Sequence, residues 1–312
     1  MPELPEVETM RRGIVAIVGS RIQGVWAPRS RFRPITVSPP LSRLRRRVAG
    51  RAITAVGRAG KRLLVELDSG DRLVIEPRMT GRVLLAGQGI VPILATGTVP
   101  IFAKPGTDRR LVGDCPPEVD RAHLRLVIEL SGGPATRLVF WDSRGLGVVR
   151  LLSAGESARE LGPERLGPDA LEISAEELKE RLHKSRRAIK VALLDQRAVA
   201  GVGNLYASEI LHRARLHPTT PCNRLRPGDW IRVHAQVQGV LRQAIELQGS
   251  TLSDGTYRTA ENQPGGFQDW LRVYHRTGEP CLQCGKARIV RIVQAQRSTF
   301  FCPACQRPRS NK

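Results

Sequence analysis

The chain has no run of 18 or more apolar residues, so the sequence holds no candidate for a membrane-spanning helix. Its opening residues, MPELPEVET, lack the basic and apolar regions of a secretory signal, and the expected location is therefore cytoplasmic. There is no internal repeat and no low-complexity tract. A disulfide framework is also missing. Of six cysteines, Cys281, Cys284, Cys302 and Cys305 crowd the last 32 residues as two CxxC pairs, a metal-binding pattern of a reducing compartment. Cys115 and Cys222 read as plain thiols, one in a loop and one near a turn. The most telling absence is of negative charge: no acid stands between Glu8 and Glu66, and none follows Cys281.

What is present explains that gap. The 312 residues hold 50 Lys+Arg against 29 Asp+Glu, so the net charge is 50 − 29 = +21. With a pI near 11.1, the expected partner is a polyanion, and nucleic acid is the first choice. Hydrophobic residues at 41% and charged residues at 25% are ordinary for a globular chain, which argues against global disorder. Two acid-free basic stretches at opposite ends suggest two surfaces meeting one phosphate backbone.

Periodicity places the elements. Residues 5–18 read as a helix, with Pro5 in the first turn and Glu6 and Glu8 at the positive end of the dipole. Short alternating runs follow at 22–26, 52–56, 63–67, 73–75 and 82–85, then at 124–130 and 137–141. The Gly- and Pro-rich stretch 86–117 reads as an extended loop or insertion. This is a β-rich first domain of about 150 residues, a sandwich or flattened barrel. Beyond Leu152 the period becomes helical: 175–197 with Ser174 as N-cap and Glu177 completing a capping box, 205–215, and 230–247. Residues 249–266 read as a mobile polar loop, and 279–306 as a small metal-bound unit.

Three patterns carry chemistry. The two CxxC knuckles offer four thiolates, which suits one tetrahedral structural zinc and leaves no open position for catalysis. The intervening residues 289–293 and 298–301 read as a β-hairpin, with Arg297 near its tip as a phosphate contact. At the other end, loss of Met1 exposes the secondary amine of Pro2. An α-amino group of pKa about 7.7–8.0 is partly nucleophilic at neutral pH. Glu3 and Glu6 lie within reach as acid/base partners, although Pro2 and Pro5 could equally do no more than stiffen the chain entry. Finally, Gly201-Val202-Gly203-Asn204 opens a helix, where backbone amides and an Asn side chain form an anion site or, more simply, a capping turn.

PELPEVETMRRGI at 2–14, AVAGVGNLYASEIL at 198–211, STLSDG at 250–255, VYHRTGEPCLQCG at 273–285 and AQRSTFFCPACQ at 295–306 resemble the formamidopyrimidine-DNA glycosylase family, whose fold the endonuclease VIII enzymes share. The resemblance covers most of the chain. It implies an α+β multidomain protein: an N-terminal β-sandwich catalytic domain at 1–152, a helix–two-turns–helix DNA-binding domain at 153–272 and a C-terminal zinc-ribbon finger at 273–312. It also implies a bifunctional glycosylase and AP lyase for oxidised purines, 8-oxoguanine and formamidopyrimidines, acting in base excision repair. The partner implied is double-stranded DNA with damaged bases or abasic sites, met by a monomer away from any membrane. Pro2 becomes the nucleophile that forms an imine, Glu3 its acid/base partner, and Glu6 an assistant in the same pocket. Lys61 joins them as a catalytic residue that reaches a phosphate, Lys190, Asn204 and Arg297 clamp the DNA with it, and Met79 and Arg144 fill the gap left by a flipped base. A Walker reading of Lys61 fails, because Gly57-x-x-Gly60-Lys61 is too short and Arg62 replaces Ser or Thr.

The chain also departs from the family. Leu146 takes the place of the aromatic wedge, Gly145 follows Arg144, and Glu76-Pro77-Arg78 replaces a His-Leu-Gly-like stretch before Met79. These positions concern lesion recognition rather than the nucleophile. They keep open an endonuclease VIII-like preference for oxidised pyrimidines or hydantoins. A non-catalytic damaged-DNA binder is a third reading, opposed by Pro2 and Glu3. A zinc-ribbon ribosomal or transcription factor would leave the N-terminus unexplained.

Overall fold

The computed structural model describes residues 2–87, 120–252, 255, 257–259 and 263–308. Met1, Cys115 and all of the 86–117 stretch beyond Gly87 lie outside the described residues. Two compact units result. Of the described residues, one comprises those within 2, 6–157 and 251–265, and the other those within 3–5, 158–250 and 266–308.

The first half of the chain runs α1 (Leu4–Ile14), β1 (Arg21–Trp26), β2 (Thr36–Ser38), α2 (Leu41–Val48), β3 (Ile53–Ala59), β4 (Arg62–Leu67), β5 (Arg72–Glu76), β6 (Gly81–Ala86), β7 (Leu124–Ser131), β8 (Arg137–Asp142), β9 (Val148–Leu152) and α3 (Ala154–Glu160). Two sheets form, β1-β7-β8-β6 and β2-β9-β5-β4-β3. Every neighbouring pair is antiparallel except β2 with β9. Period-two alternation decides the inner faces. Leu63, Val65 and Leu67 of β4 share one buried cluster with Leu126, Ile128 and Leu130 of β7, and this is the core of a sandwich. The other face of the β7 sheet buries Trp26, Leu84, Val127 and Val139, so these strands read as nearly continuous apolar runs.

All seven strands expected here are found. The helix expected over 5–18 stops at Ile14 and tightens into a 3-10 turn, Val15–Ile17. The crowded β-branched residues Val15, Ile17 and Val18 disfavour further helix. Helix α2 was not foreseen. Its apolar positions Leu44 and Val48 are fully buried, but three arginines between them mask the period. Part of the expected mobile loop is anchored instead. Tyr257 joins the sandwich core, and Arg82 donates to the Thr259 carbonyl at 3.1 Å.

The second unit contains α4 (Ala175–Leu182), α5 (Ile189–Leu193), α6 (Asn204–Arg213), α7 (Pro227–Glu246) and the hairpin β10 (Val290–Gln294) with β11 (Arg297–Phe301). Ser174 Oγ accepts from Glu177 N at 3.0 Å, the expected N-cap. The single helix expected over 175–197 is broken in two. Between its halves the backbone turns to pair elsewhere: Cys222 N donates to Arg187 O at 3.0 Å and Ile189 N to Thr220 O at 2.8 Å. A long-range pairing has overridden local periodicity. Val233, Val237, Val240 and Ala244 give α7 its buried stripe.

Candidate active site and zinc centre

In the second unit, the glycines of the 201–204 turn make room for the chain's own N-terminal residues. Gly201 sits at φ +113°, and a Cβ there would overlap the Leu4 side chain. A Cβ on Gly203 would overlap the Glu3 carboxyl group. Leu4 N donates to Gly201 O at 3.2 Å, and Leu205 N donates to Glu3 Oε1 at 3.1 Å. The turn is indeed an anion site at a helix N-terminus, but the anion it holds is the carboxylate of Glu3, which is buried.

Asn204, the first residue of α6, faces Lys190 on α5. Lys190 is fully buried, and its ammonium donates to Asn204 Oδ1 at 2.6 Å, Thr299 Oγ1 at 2.8 Å and Ser298 O at 3.1 Å. An ammonium has three donors, and all three go to protein acceptors. Burial lowers the Lys190 pKa to about 8, with Glu3 opposing the shift and Arg297 adding to it. Arg297 itself is exposed at the start of β11. It follows Ala295 and Gln296, which both take positive φ, as a two-residue hairpin turn of this type requires.

The first unit holds the remaining sequence-expected residues. Pro2 and Glu6 are buried. Lys61 lies half-buried beside Gly60 in the turn between paired Ala59 and Arg62. Met79 is exposed in the turn from β5 to β6, and Arg144 is exposed in the turn after β8. Sequence reasoning missed what joins these two turns. Buried Asp142 accepts from Thr80 Oγ1, next to Met79, and from Arg144 N at 3.1 Å and Gly147 N at 2.7 Å. The departures acquire physical reasons here. Gly145 is at φ +62° with its Cα against the Arg33 carbonyl, where any side chain would overlap it. Glu76 is a buried hub for Arg62, Arg78 and Arg150.

Four sulfurs complete the picture. The Sγ atoms of Cys281, Cys284, Cys302 and Cys305 all lie within 4.8 Å of one another. Two of the separations are 3.9 Å, Cys281 to Cys305, and 3.7 Å, Cys284 to Cys302. A tetrahedron with zinc–sulfur bonds of about 2.3 Å has edges of about 3.8 Å, so the donors fit one zinc ion with no position left open. Burial and the neighbouring sulfurs push the Cys302 and Cys305 thiols up, a repulsion that a bound cation relieves. Gln306, fully buried, accepts from Cys302 N at 2.9 Å and donates to Leu216 O at 2.8 Å, which fixes the second knuckle. The zinc is structural. Cys222 stays a buried thiol, with its pKa raised by burial to about 11.

Fold and knuckles define a class: a β-sandwich protein with a helix–two-turns–helix unit that carries its own zinc finger. The family models narrow it. The formamidopyrimidine-DNA glycosylase N-terminal domain matches residues 1–149, the H2TH domain of the same enzymes matches 161–256, and the zinc finger found in FPG and IleRS matches 278–308. A formamidopyrimidine-DNA glycosylase of Chloroflexus aggregans is 40% identical over 98% of each chain. Lactococcus lactis Fpg bound to abasic-site DNA superposes with a TM-score of 0.78 at 31% identity, covering 98% of this chain and 100% of that one. The same protein with Fapy-dG DNA gives 0.76 at 31% identity, again covering 98% and 100%. The chain belongs to the formamidopyrimidine-DNA glycosylase family.

Proposed function

We propose that the chain excises oxidised purines from duplex DNA and then cleaves the strand, as a DNA-formamidopyrimidine glycosylase and DNA-(apurinic or apyrimidinic site) lyase of base excision repair. The observation that carries this reading is the seating of Glu3. A buried carboxylate is held on the amide of Leu205, one peptide bond from the residue whose amine is the nucleophile.

The chemistry follows from a secondary amine. With Met1 removed, Pro2 nitrogen attacks C1′ of the flipped nucleotide, and the bond from C1′ to the base breaks with its electrons leaving on the base. Glu3 takes the proton from the Pro2 nitrogen once the bond to C1′ has formed and passes it to the sugar ring oxygen as the ring opens, which leaves an iminium on Pro2. That cation has no N–H to lose, so it acidifies the C2′ hydrogen. Loss of that proton expels the 3′ phosphate, and a second elimination expels the 5′ phosphate. Glu6 serves the proton transfers from the same end of the chain.

Asn204, Arg297 and Lys61 act on backbone phosphates. Lys190 acts by holding Asn204 and β11 in place, since its own donors are already used. Met79 and Arg144 enter the gap left by the flipped base, on turns held in register by Asp142. The work falls to a cytoplasmic monomer, with domains at 1–152, 153–272 and 273–312.

Borohydride trapping on duplexes carrying 8-oxoguanine, an oxidised pyrimidine or an abasic site tests the proposal. The expected result is a covalent adduct on the N-terminal peptide, formed best with the purine lesion, and reduced together with base excision in Pro2→Gly. Best trapping on the pyrimidine duplex would shift the lesion class. No adduct on any duplex, with Met1 shown to be absent and DNA bound, would make the protein a damage binder.

A further inference from the structure

Helix α6 carries two polar side chains that neither the Glu3 seat nor the four sulfurs account for, Glu209 and His212. Both are completely buried. Glu209 spends its carboxylate on the chain leading into the finger, accepting from Arg272 N at 3.0 Å, Val273 N at 3.0 Å and Tyr274 N at 2.9 Å. One turn further on, His212 Nε2 lies 3.6 Å from Cys281 Sγ, while its Nδ1 has no hydrogen-bond partner among the described residues. A neutral imidazole has a single N–H, and the tautomer follows from which nitrogen meets an acceptor. Among the described residues the acceptor it meets is the sulfur. A zinc ligand at this position is a thiolate, a strong acceptor for that proton.

We infer that His212 is a positioning residue of the zinc centre, donating its Nε2–H to the Cys281 thiolate and fastening the finger to α6. The helix whose first turn seats Glu3 and Asn204 thereby also carries a ligand contact of the metal, eight residues and about 12 Å along its axis. Two consequences follow for the metal site. The hydrogen bond fixes the orientation of the Cys281 side chain, and it draws charge from the sulfur, which makes this thiolate a poorer target for alkylation. Glu209 fixes the backbone just before the first knuckle, so the pair sets both the approach of the chain and its first ligand.

The test uses the full-length protein with zinc exchanged for cadmium-113 and its histidines labelled with nitrogen-15. The expected spectrum has the His212 ring as the Nε2–H tautomer, with a scalar correlation from that proton to the cadmium across the hydrogen bond. Two variants add function to geometry. His212→Phe keeps a ring but removes the donor, and should speed zinc release to a chelator about tenfold, with Cys281 alkylated earlier than in the wild type. His212→Gln restores an N–H and should recover most of the slower release. An Nδ1–H tautomer, a missing correlation, or zinc release unchanged in His212→Phe would overturn the inference. If His212→Phe fails to fold, the wild-type spectrum alone decides.

Discussion

Lys190 Nζ lies 2.6 Å from Asn204 Oδ1, and the same ammonium reaches Thr299 and Ser298 on the zinc hairpin. One buried cation thus ties α5, α6 and β11 together. Lys190→Met strands three acceptors, and should lower the unfolding free energy by about 3 kcal/mol and weaken DNA binding with it. The pH dependence is specific. The folded pKa of about 8 is depressed from the ordinary 10.5, first by burial. Between those values the unfolded chain binds more protons, so this group makes stability rise with pH. Its unfavourable contribution is complete below pH 8 and fades above. Denaturant titrations from pH 7.5 to 10 should show this slope in the wild type and not in Lys190→Met.

Gly203→Ala tests the seat of Glu3. The backbone at Gly203 (φ −123°) is open to any residue, and the three atoms nearest to an added Cβ all belong to the Glu3 carboxyl group. Displacing that group by an ångström should cut base excision about a hundredfold. Affinity for a duplex with an uncleavable abasic-site analogue should stay within a few-fold. Single-turnover excision and equilibrium binding separate the two effects, and equal losses in both would argue for general unfolding.

Glu8 answers three arginines: Arg11 at 2.8 Å, Arg12 at 3.1 Å and Arg58 at 3.2 Å. Burial pulls the Glu8 pKa up, but the hydrogen bonds and charges of these arginines outweigh it and leave the carboxyl below its ordinary 4.5. A depressed folded pKa means stability that is present above the unfolded value and lost as pH falls through the folded one. Glu8→Gln should therefore lower stability by about 2 kcal/mol at pH 7. The gap should close as the medium is acidified below pH 4.5, which thermal melts across that range can follow.

Removing zinc should act locally. Cys302→Ser, or chelation, deprives the finger of the ion that relieves repulsion among four sulfurs. β10 and β11 should lose their amide protection and DNA binding should fall sharply. The sandwich, whose core holds no finger residue among the described residues, should keep its cooperative melt. Metal analysis, hydrogen exchange and DNA titration together check this, and full binding by a zinc-free protein would contradict it.

How much of this was legible beforehand depends on the range of the interaction concerned. Two CxxC knuckles, the alternation of β4 and β7 and the Ser174 cap involve neighbours a few residues apart, so the linear order displays them. The pairing of Pro2 with Glu3 is covalent and needs no fold. By contrast, the break between α4 and α5 comes from pairing with 218–222, which no local period records. Asp142, Glu209, Gln306 and His212 left little trace, although an acid inside the apolar LYASEIL run could have drawn attention to Glu209. Each has a partner 62 to 90 residues away.

By itself, then, the sequence determined the ligand set, the strand faces, the basic ends and the candidate nucleophile. Composition and short spacings specify these directly. Only the tertiary structure decided that the glycine turn holds Glu3 rather than an outside anion, that Lys190 is an internal tie, and that Asp142 joins the turns of Met79 and Arg144. Each depends on bringing a buried polar atom to the one partner that compensates its lost hydration, and that partner is chosen by packing.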